Sequence, residues 1–295
     1  ALGELGLKAA PLLLMALGLA LAFRSNVWNI GAEGQFVMGA VFAGGVALAA
    51  DASAGGLTLP AMLLAGAAGG MCWAAIAALL RDKCHASEIL VSLMLVYVAV
   101  QVLGYLVYGP WKDPQGYNFP QTRLFGPAAQ LPRLMDGSRL HAGLPLALAG
   151  AALLWVWLFR TRAGFAQQVC GLAPAAARYA GFSSRRALWT AMLASGGAAG
   201  LAGALEVAGP LRQLTPNVPA GYGFAAIIVA FVGRLHPLGI VLAALLMSMF
   251  YIGGELAQSR LGLPKSITGV FQGLLLFALL ACDTLVHYRI RRGGR

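Results

Sequence analysis

The chain has 295 residues, of which 59% are hydrophobic and 11% charged, with a mean hydropathy of +0.76. Soluble domains carry about 25% charged residues, so a chain this long and apolar cannot cover its apolar surface in water, and lipid must take much of it. The net charge of +11 excludes no membrane role and does not indicate nucleic acid, because the basic residues lie in loops and at segment ends rather than on one aromatic-rich face.

Apolar runs of membrane length predict an all-α, polytopic transmembrane helical bundle. Spanning or near-spanning helices are expected over 9–23, 35–50, 58–80, 88–108, 143–159, 188–208, 222–233, 237–253 and 267–288. The 39 glycines suit such a bundle, since small residues let membrane helices approach closely. Runs 9–23, 35–50 and 222–233 are short for a full crossing and are bordered by glycine, proline or polar residues, as broken or re-entrant helices are. Cys72, Cys84, Cys170 and Cys282 form no CxxC pair, so neither a disulfide framework nor a metal site is indicated.

Lysine and arginine set the expected orientation. Arg24, Arg81, Lys83, Arg160, Arg162, Arg178, Arg185, Arg186, Arg234, Arg289, Arg291, Arg292 and Arg295 place thirteen of the 21 basic residues on one side. Lys8, Lys112, Arg123, Arg133, Arg139, Arg212, Arg260 and Lys265 fall on the other. The denser set is expected to be cytoplasmic, with the C-terminus. Run 9–23 then enters from outside, and with no basic leader after Ala1 a further helix is expected ahead of it.

The first informative segment joins runs 9–23 and 35–50. It reads "NVWNIGAEGQFVMGA" from Asn26, polar and glycine-rich between apolar neighbours. Irregular backbone at membrane depth is tolerated only beside protein or a water-filled cavity, which makes Asn29, Glu33 and Gln35 candidates for a translocation path. Glu33 also suits a helix start, where the dipole favours negative charge, and that is the commoner role for an acid in this position.

This segment resembles the signature of the branched-chain-amino-acid/ribose/nucleoside permease family of bacterial ATP-binding-cassette (ABC) importers. Within that family it is most similar to the nucleoside, or simple-sugar, permeases that work beside a basic-membrane-lipoprotein-type binding protein. The resemblance extends over nearly the whole chain, 1–295, as a single permease domain. It implies import of nucleosides or a related small polar solute across the bacterial inner membrane. It also implies three partners: an ABC ATPase that carries ATP and magnesium, a second, paralogous permease subunit, and an extracytoplasmic solute-binding protein.

Next comes an external loop over 109–142, with Pro110, Pro114, Pro120, Pro127 and Pro132 forbidding a continuous helix. Trp111, Tyr117, Phe119 and Phe125 are expected to anchor it at the outer interface. The string "NFPQT" at 118–122 also resembles the family. The loop suits either contact with a binding protein or a purely structural plug.

The segment 160–187 is expected on the cytoplasmic side. It carries "VCGLAPAAARYAGFSSRR", whose centre, 174–180, suits a short helix opened by Pro174. The family resemblance implies a coupling helix that rests on the ATPase, with Gly171, Ala177, Arg178, Tyr179 and Gly181 in that role. On physical grounds alone the same helix could lie on anionic lipid.

In the second half, "PNVPAGYGFAAIIVAFVGRLHP" from Pro216 precedes and includes the short run 222–233. It echoes the segment around Glu33, and such paired glycine-interrupted segments predict two inverted repeats around a midplane path. Tyr222 could stack on a base or sugar ring, although a turn with an interfacial tyrosine is the plainer reading. Gln272, deep in the last run, is the better path-lining candidate among the remaining intramembrane polar residues Gln101, Glu206, Gln272 and Asp283.

The chain has no GxxxxGK[ST] phosphate loop and no nucleophile–base constellation. Any ATP hydrolysis is therefore expected in a partner, with no catalytic residue and no cofactor in this chain. The alternatives are an ion-coupled secondary transporter, built from the same broken helices, and an enzyme acting on a membrane-embedded substrate.

Overall fold

A computed structural model describes residues 2–50, 55–134, 139–262, 264 and 266–287. They form α1 (Leu2–Arg24), α2 (Ala32–Ala49), α3 (Thr58–Cys84), α4 (Glu88–Tyr108), α5 (Gly143–Arg160), α6 (Arg162–Leu172), α7 (Pro174–Tyr179), α8 (Ser184–Glu206), α9 (Tyr222–Val232), α10 (Pro237–Leu261) and α11 (Ser266–His287). Seven of these helices are long and apolar enough to cross a membrane.

Two of the expected short runs are longer than the sequence indicates. At about 1.5 Å per residue, the 23 residues of α1 reach roughly 34 Å, enough for a hydrocarbon core of about 30 Å. The hydropathy of α1 falls off before its true start because Glu4 and Lys8 interrupt the run. Both charges are paired: Glu4 accepts from Arg139 at 2.9 and 2.7 Å, and Lys8 donates to Glu255 at 2.6 Å. α2 starts at Ala32 and is also of spanning length. Only the 11-residue α9 is too short, at roughly 16 Å by the same rise.

Burial separates an inner from an outer layer. Across an 18-residue stretch α1 is 89% buried and α2 72%, whereas α4 and α5 are 22% buried. α1, α2 and α8 thus make the centre. α3 packs on α2 and α8, α4 on α2 and α3, and α5, α9 and α10 on α1. The outer helices turn leucines such as Leu90, Leu153, Leu238 and Leu242 outward, as lipid contact requires.

A glycine seam holds α2, α3 and α8 together. A Cβ on Gly70 would lie 2.1 Å from the Gly196 carbonyl oxygen, and one on Gly200 would lie 2.2 Å from that of Gly66. Neither neighbour can yield, because both are backbone. Without a hydrophobic drive between helices in lipid, such backbone approach supplies the packing energy. Gly200→Val should therefore cost at least the upper part of the usual overpacking range of about 1–3 kcal/mol. Apparent melting temperature in detergent checks this, with Gly104→Val as the control, since nothing lies within 4 Å of a Cβ there.

The 109–142 loop is stitched onto the far end of α8 and the chain after it. Leu131 N–H donates to the Ala208 carbonyl at 2.9 Å, Phe125 N–H to Arg212 at 2.9 Å, and Thr122 N–H to Leu214 at 3.1 Å. Phe125 is buried and Trp111 packs partly against the core. Tyr117 and Phe119 are 94% and 64% exposed, so within the chain the loop is held by Phe125, Trp111 and these backbone bonds. His141 closes the loop. Its ring sits against Gly143, whose N–H donates to Nδ1 at 3.0 Å, and burial lowers its pKa below the usual imidazole value.

Candidate functional site

Three constructions use the residues singled out in the sequence: a polar junction where α2 meets α9, a cavity beside α10 and α11, and an exposed short helix at the end of the bundle opposite the 109–142 loop.

The junction begins with Asn29 and Gln35, both buried. Their amides pair reciprocally at 2.9 and 3.0 Å, and Asn29 also donates to the Ser195 hydroxyl at 2.8 Å and accepts from the Gly31 N–H at 3.0 Å. A buried amide pair is tolerated only when its groups are satisfied in this way. The two residues therefore pin the start of α2 to α8, and neither lines the cavity.

Glu33 follows one turn up. Its carboxylate, only 2% exposed, accepts from the Gly221 N–H at 2.8 Å and from the Gly223 N–H. The acid at the start of α2 thus caps the N-terminus of α9, a helix 188 positions away. The capping chemistry anticipated for Glu33 is present, but it serves the other half of the chain. The positive end of the α9 dipole makes the contact favourable. The backbones touch: a Cβ on Gly223 would lie 2.2 Å from the Glu33 nitrogen. Tyr222 is buried beside this junction, edge-on to Phe36 at 6.1 Å and to Tyr251 at 5.2 Å. Its ring is committed to packing.

The cavity, of about 730 Å³, opens on the other side of Gly221. Phe224, Tyr251, Glu255, Gln258, Ser266 and Gln272 contribute to its wall. Gln272 faces the Tyr251 hydroxyl, and its buried Nε2 closes no hydrogen bond of normal length there. A buried amide donor left open costs about 1–3 kcal/mol. Of the five path candidates, Gln272 lines this space, Glu33 holds its floor through Gly221, and Asn29, Gln35 and Tyr222 lie behind it. Tyr251, Gln258 and Phe224 are wall residues that the sequence alone did not single out. Among the other intramembrane polar residues, Gln101 points outward from α4, and the Asp283 side chain lies outside the described residues.

The exposed helix is α7. Pro174 occupies its first turn, as expected, and Gly181 ends it with φ +79°, a conformation that favours glycine. Ala177 is fully buried against Cys170 and Ala187, whose contact keeps α7 seated. Burial also pushes the Cys170 thiol above its usual pKa, so it packs as a small hydrophobe. The outward face is open: Tyr179 is 98% and Leu172 83% exposed, and Arg178 is exposed beside them. At Gly171 a Cβ would lie 2.2 Å from the Arg24 carbonyl oxygen. This glycine lets α6 lie directly on the end of α1. The sequence reading missed α6 itself; its signal is Thr161, whose hydroxyl accepts from the Gly164 N–H as an N-cap.

The family described as branched-chain amino acid transport system / permease component matches residues 2–280. The glucose ABC transporter permease protein TsgB13 of Haloferax volcanii is 35% identical, over 99% of this chain and 80% of its own length. The guanosine ABC transporter permease protein NupP of Bacillus subtilis is 33% identical, over 93% of this chain and 79% of its own. The guanosine ABC transporter permease protein NupQ of the same organism is 30% identical, over 89% and 84%. No solved structure matches. The chain belongs to the branched-chain amino acid transport system permease family, and it is the membrane-spanning permease subunit of an ABC importer, not its ATPase.

Proposed function

We propose that this permease carries a neutral nucleoside or a related sugar into the cytoplasm along the cavity walled by Tyr251, Gln258 and Gln272. The observation that carries this reading is the open Nε2 of Gln272 beside the Tyr251 hydroxyl: a donor and a hydroxyl fit a polyhydroxy solute, and Phe224 adds an aromatic face. The N-terminus of α9 would attract an anionic solute, but Glu33 already occupies it, which favours a neutral one. The relatives named for glucose and guanosine support the same solute class. Gln272→Leu tests it. One lost solute hydrogen bond, about 1.4 kcal/mol, should raise the half-saturating solute concentration for uptake about tenfold. An unchanged value would contradict the assignment.

In this reading the end bearing α6 and α7 is cytoplasmic, in the cytoplasmic membrane, with 109–142 outside. Support comes from the basic residues Arg24, Arg81, Arg160, Arg162, Arg185 and Arg234, which fall at that end. The ATPase docks on α7 through Arg178 and Tyr179, residue types favoured at interface hot spots. A binding protein delivers solute to the opposite face. A second, paralogous permease completes the path, as the pair of guanosine permeases in one organism suggests.

The helices act as two inverted repeats, α1–α2–α3 against α8–α9–α10. The packing supports this. Exchanging the halves turns the α3–α8 contact into α10–α1 and the α2–α8 contact into α9–α1, and both members of each pair occur. Rocking of one half against the other then alternates access.

A further inference from the structure

We infer that Arg24 is a positioning residue that carries motion of the coupling segment to the turn between α9 and α10, an inference that rests on the coupling role proposed for α7. Arg24 ends α1, and its guanidinium reaches three other elements. Nε donates to the Leu235 carbonyl at 2.8 Å, in the turn after α9, and Nη1 donates to Oε1 of Gln168 on α6 at 3.0 Å. The cation lies over the Phe159 ring of α5, 5.3 Å from its centroid.

Each acceptor is itself fixed. Arg234 and Leu235 both adopt positive φ, 51° and 53°, and the Leu235 N–H donates to the Ala230 carbonyl at 2.8 Å. The turn therefore presents the Leu235 carbonyl rigidly to Arg24. Phe231 at the end of α9 stacks on Phe23 at 5.1 Å, so a second contact runs parallel to the first. On the other side, Gln168 Nε2 donates to the Leu158 carbonyl at 2.9 Å.

The neighbouring Gln167 fastens the same helix elsewhere. Its Nε2 donates to the Ser25 hydroxyl and the Ala187 carbonyl, each at 2.7 Å, and its Oε1 accepts from Thr190 at 2.9 Å. α6 is thus bolted to the ends of α1 and α8, and one residue, Ala173, separates it from α7. A push on α7 reaches α1 and α8 through packing and Gln167. It reaches the α9 turn, and through α9 the Gly221 wall of the cavity, through Arg24. A planar guanidinium can hold two acceptors in fixed directions at once, which an ammonium cannot do with equal geometry.

The test uses the assembled importer, with its ATPase, partner permease and binding protein, reconstituted in liposomes. Arg24→Ala and Gln168→Leu are expected to retain the ATPase in the purified complex while uptake per ATP hydrolysed falls about tenfold, in the middle of the usual range of coupling between sites. Arg24→Lys should fall between them and the unaltered chain. If Arg24→Ala does not assemble, Gln168→Leu decides, because it leaves the Arg24–Leu235 contact in place. An unchanged ratio, with or without a lower yield of complex, would mean that Arg24 only stabilises the fold and would overturn the inference. The Arg178→Ala, Tyr179→Ala double variant separates this from the coupling role itself: its retention of full uptake would sink that role, whatever the ratio in the Arg24 variants.

Discussion

Replacing Arg178 and Tyr179 together with alanine should leave solute capture by the binding protein intact and bring uptake down to background. Both side chains are exposed, Tyr179 almost fully, so their truncation should cost the fold no more than the usual surface change of about 0.5 kcal/mol. At an interface the same residue types behave differently. Losing one hot-spot contact, about 2 kcal/mol, weakens docking roughly thirtyfold, and here both go from a helix of only six residues. The seat of α7 is untouched, because Ala177 and the Gly181 turn remain. Co-purification of the ATPase and uptake into proteoliposomes check the expectation. Retained uptake with a retained ATPase would remove α7 as the coupling contact.

A second large effect is expected at Glu33. Glu33→Ala leaves the buried Gly223 N–H without an acceptor, at about 1–3 kcal/mol, removes the acceptor of the part-buried Gly221 N–H, and leaves the positive end of α9 uncompensated. Glu33→Gln keeps one carbonyl oxygen and should recover part of the loss. The apparent melting temperature in detergent should fall in the order unaltered chain, Gln, Ala. Because Gly221 also lines the cavity, uptake should fall in the same order. Equal stability of all three would show that the carboxylate does not hold α9.

What the sequence could and could not convey divides along the range of the interactions. The helices of membrane length were legible because hydropathy and helical length are local properties, and α7 because Pro174 and the alanines that follow have local consequences. The start of α1 was hidden by Glu4 and Lys8, whose partners Arg139 and Glu255 are far along the chain. Asn29, Glu33 and Gln35 stood out as polar residues in an apolar setting, but that pattern is the same for a path wall and for a buried junction. No periodicity points to their partners Ser195, Gly221 and Gly223. Tyr222 was read from its loop context, whereas its ring is used between Phe36 and Tyr251. Gln272 was found by depth alone; the residues that share its cavity come together only through the packing of α10 and α11 around the start of α9. Arg24 was read as a topology charge, and its three contacts arise from three separate elements.

Uptake by the reconstituted importer, measured with and without its ATPase, tests the central claim most directly. Solute should accumulate in proteoliposomes when ATP, the ATPase and the binding protein are all supplied, and should stop when the ATPase is left out, whatever ion gradient is imposed. Accumulation driven by an ion gradient in the absence of any ATPase would contradict the claim.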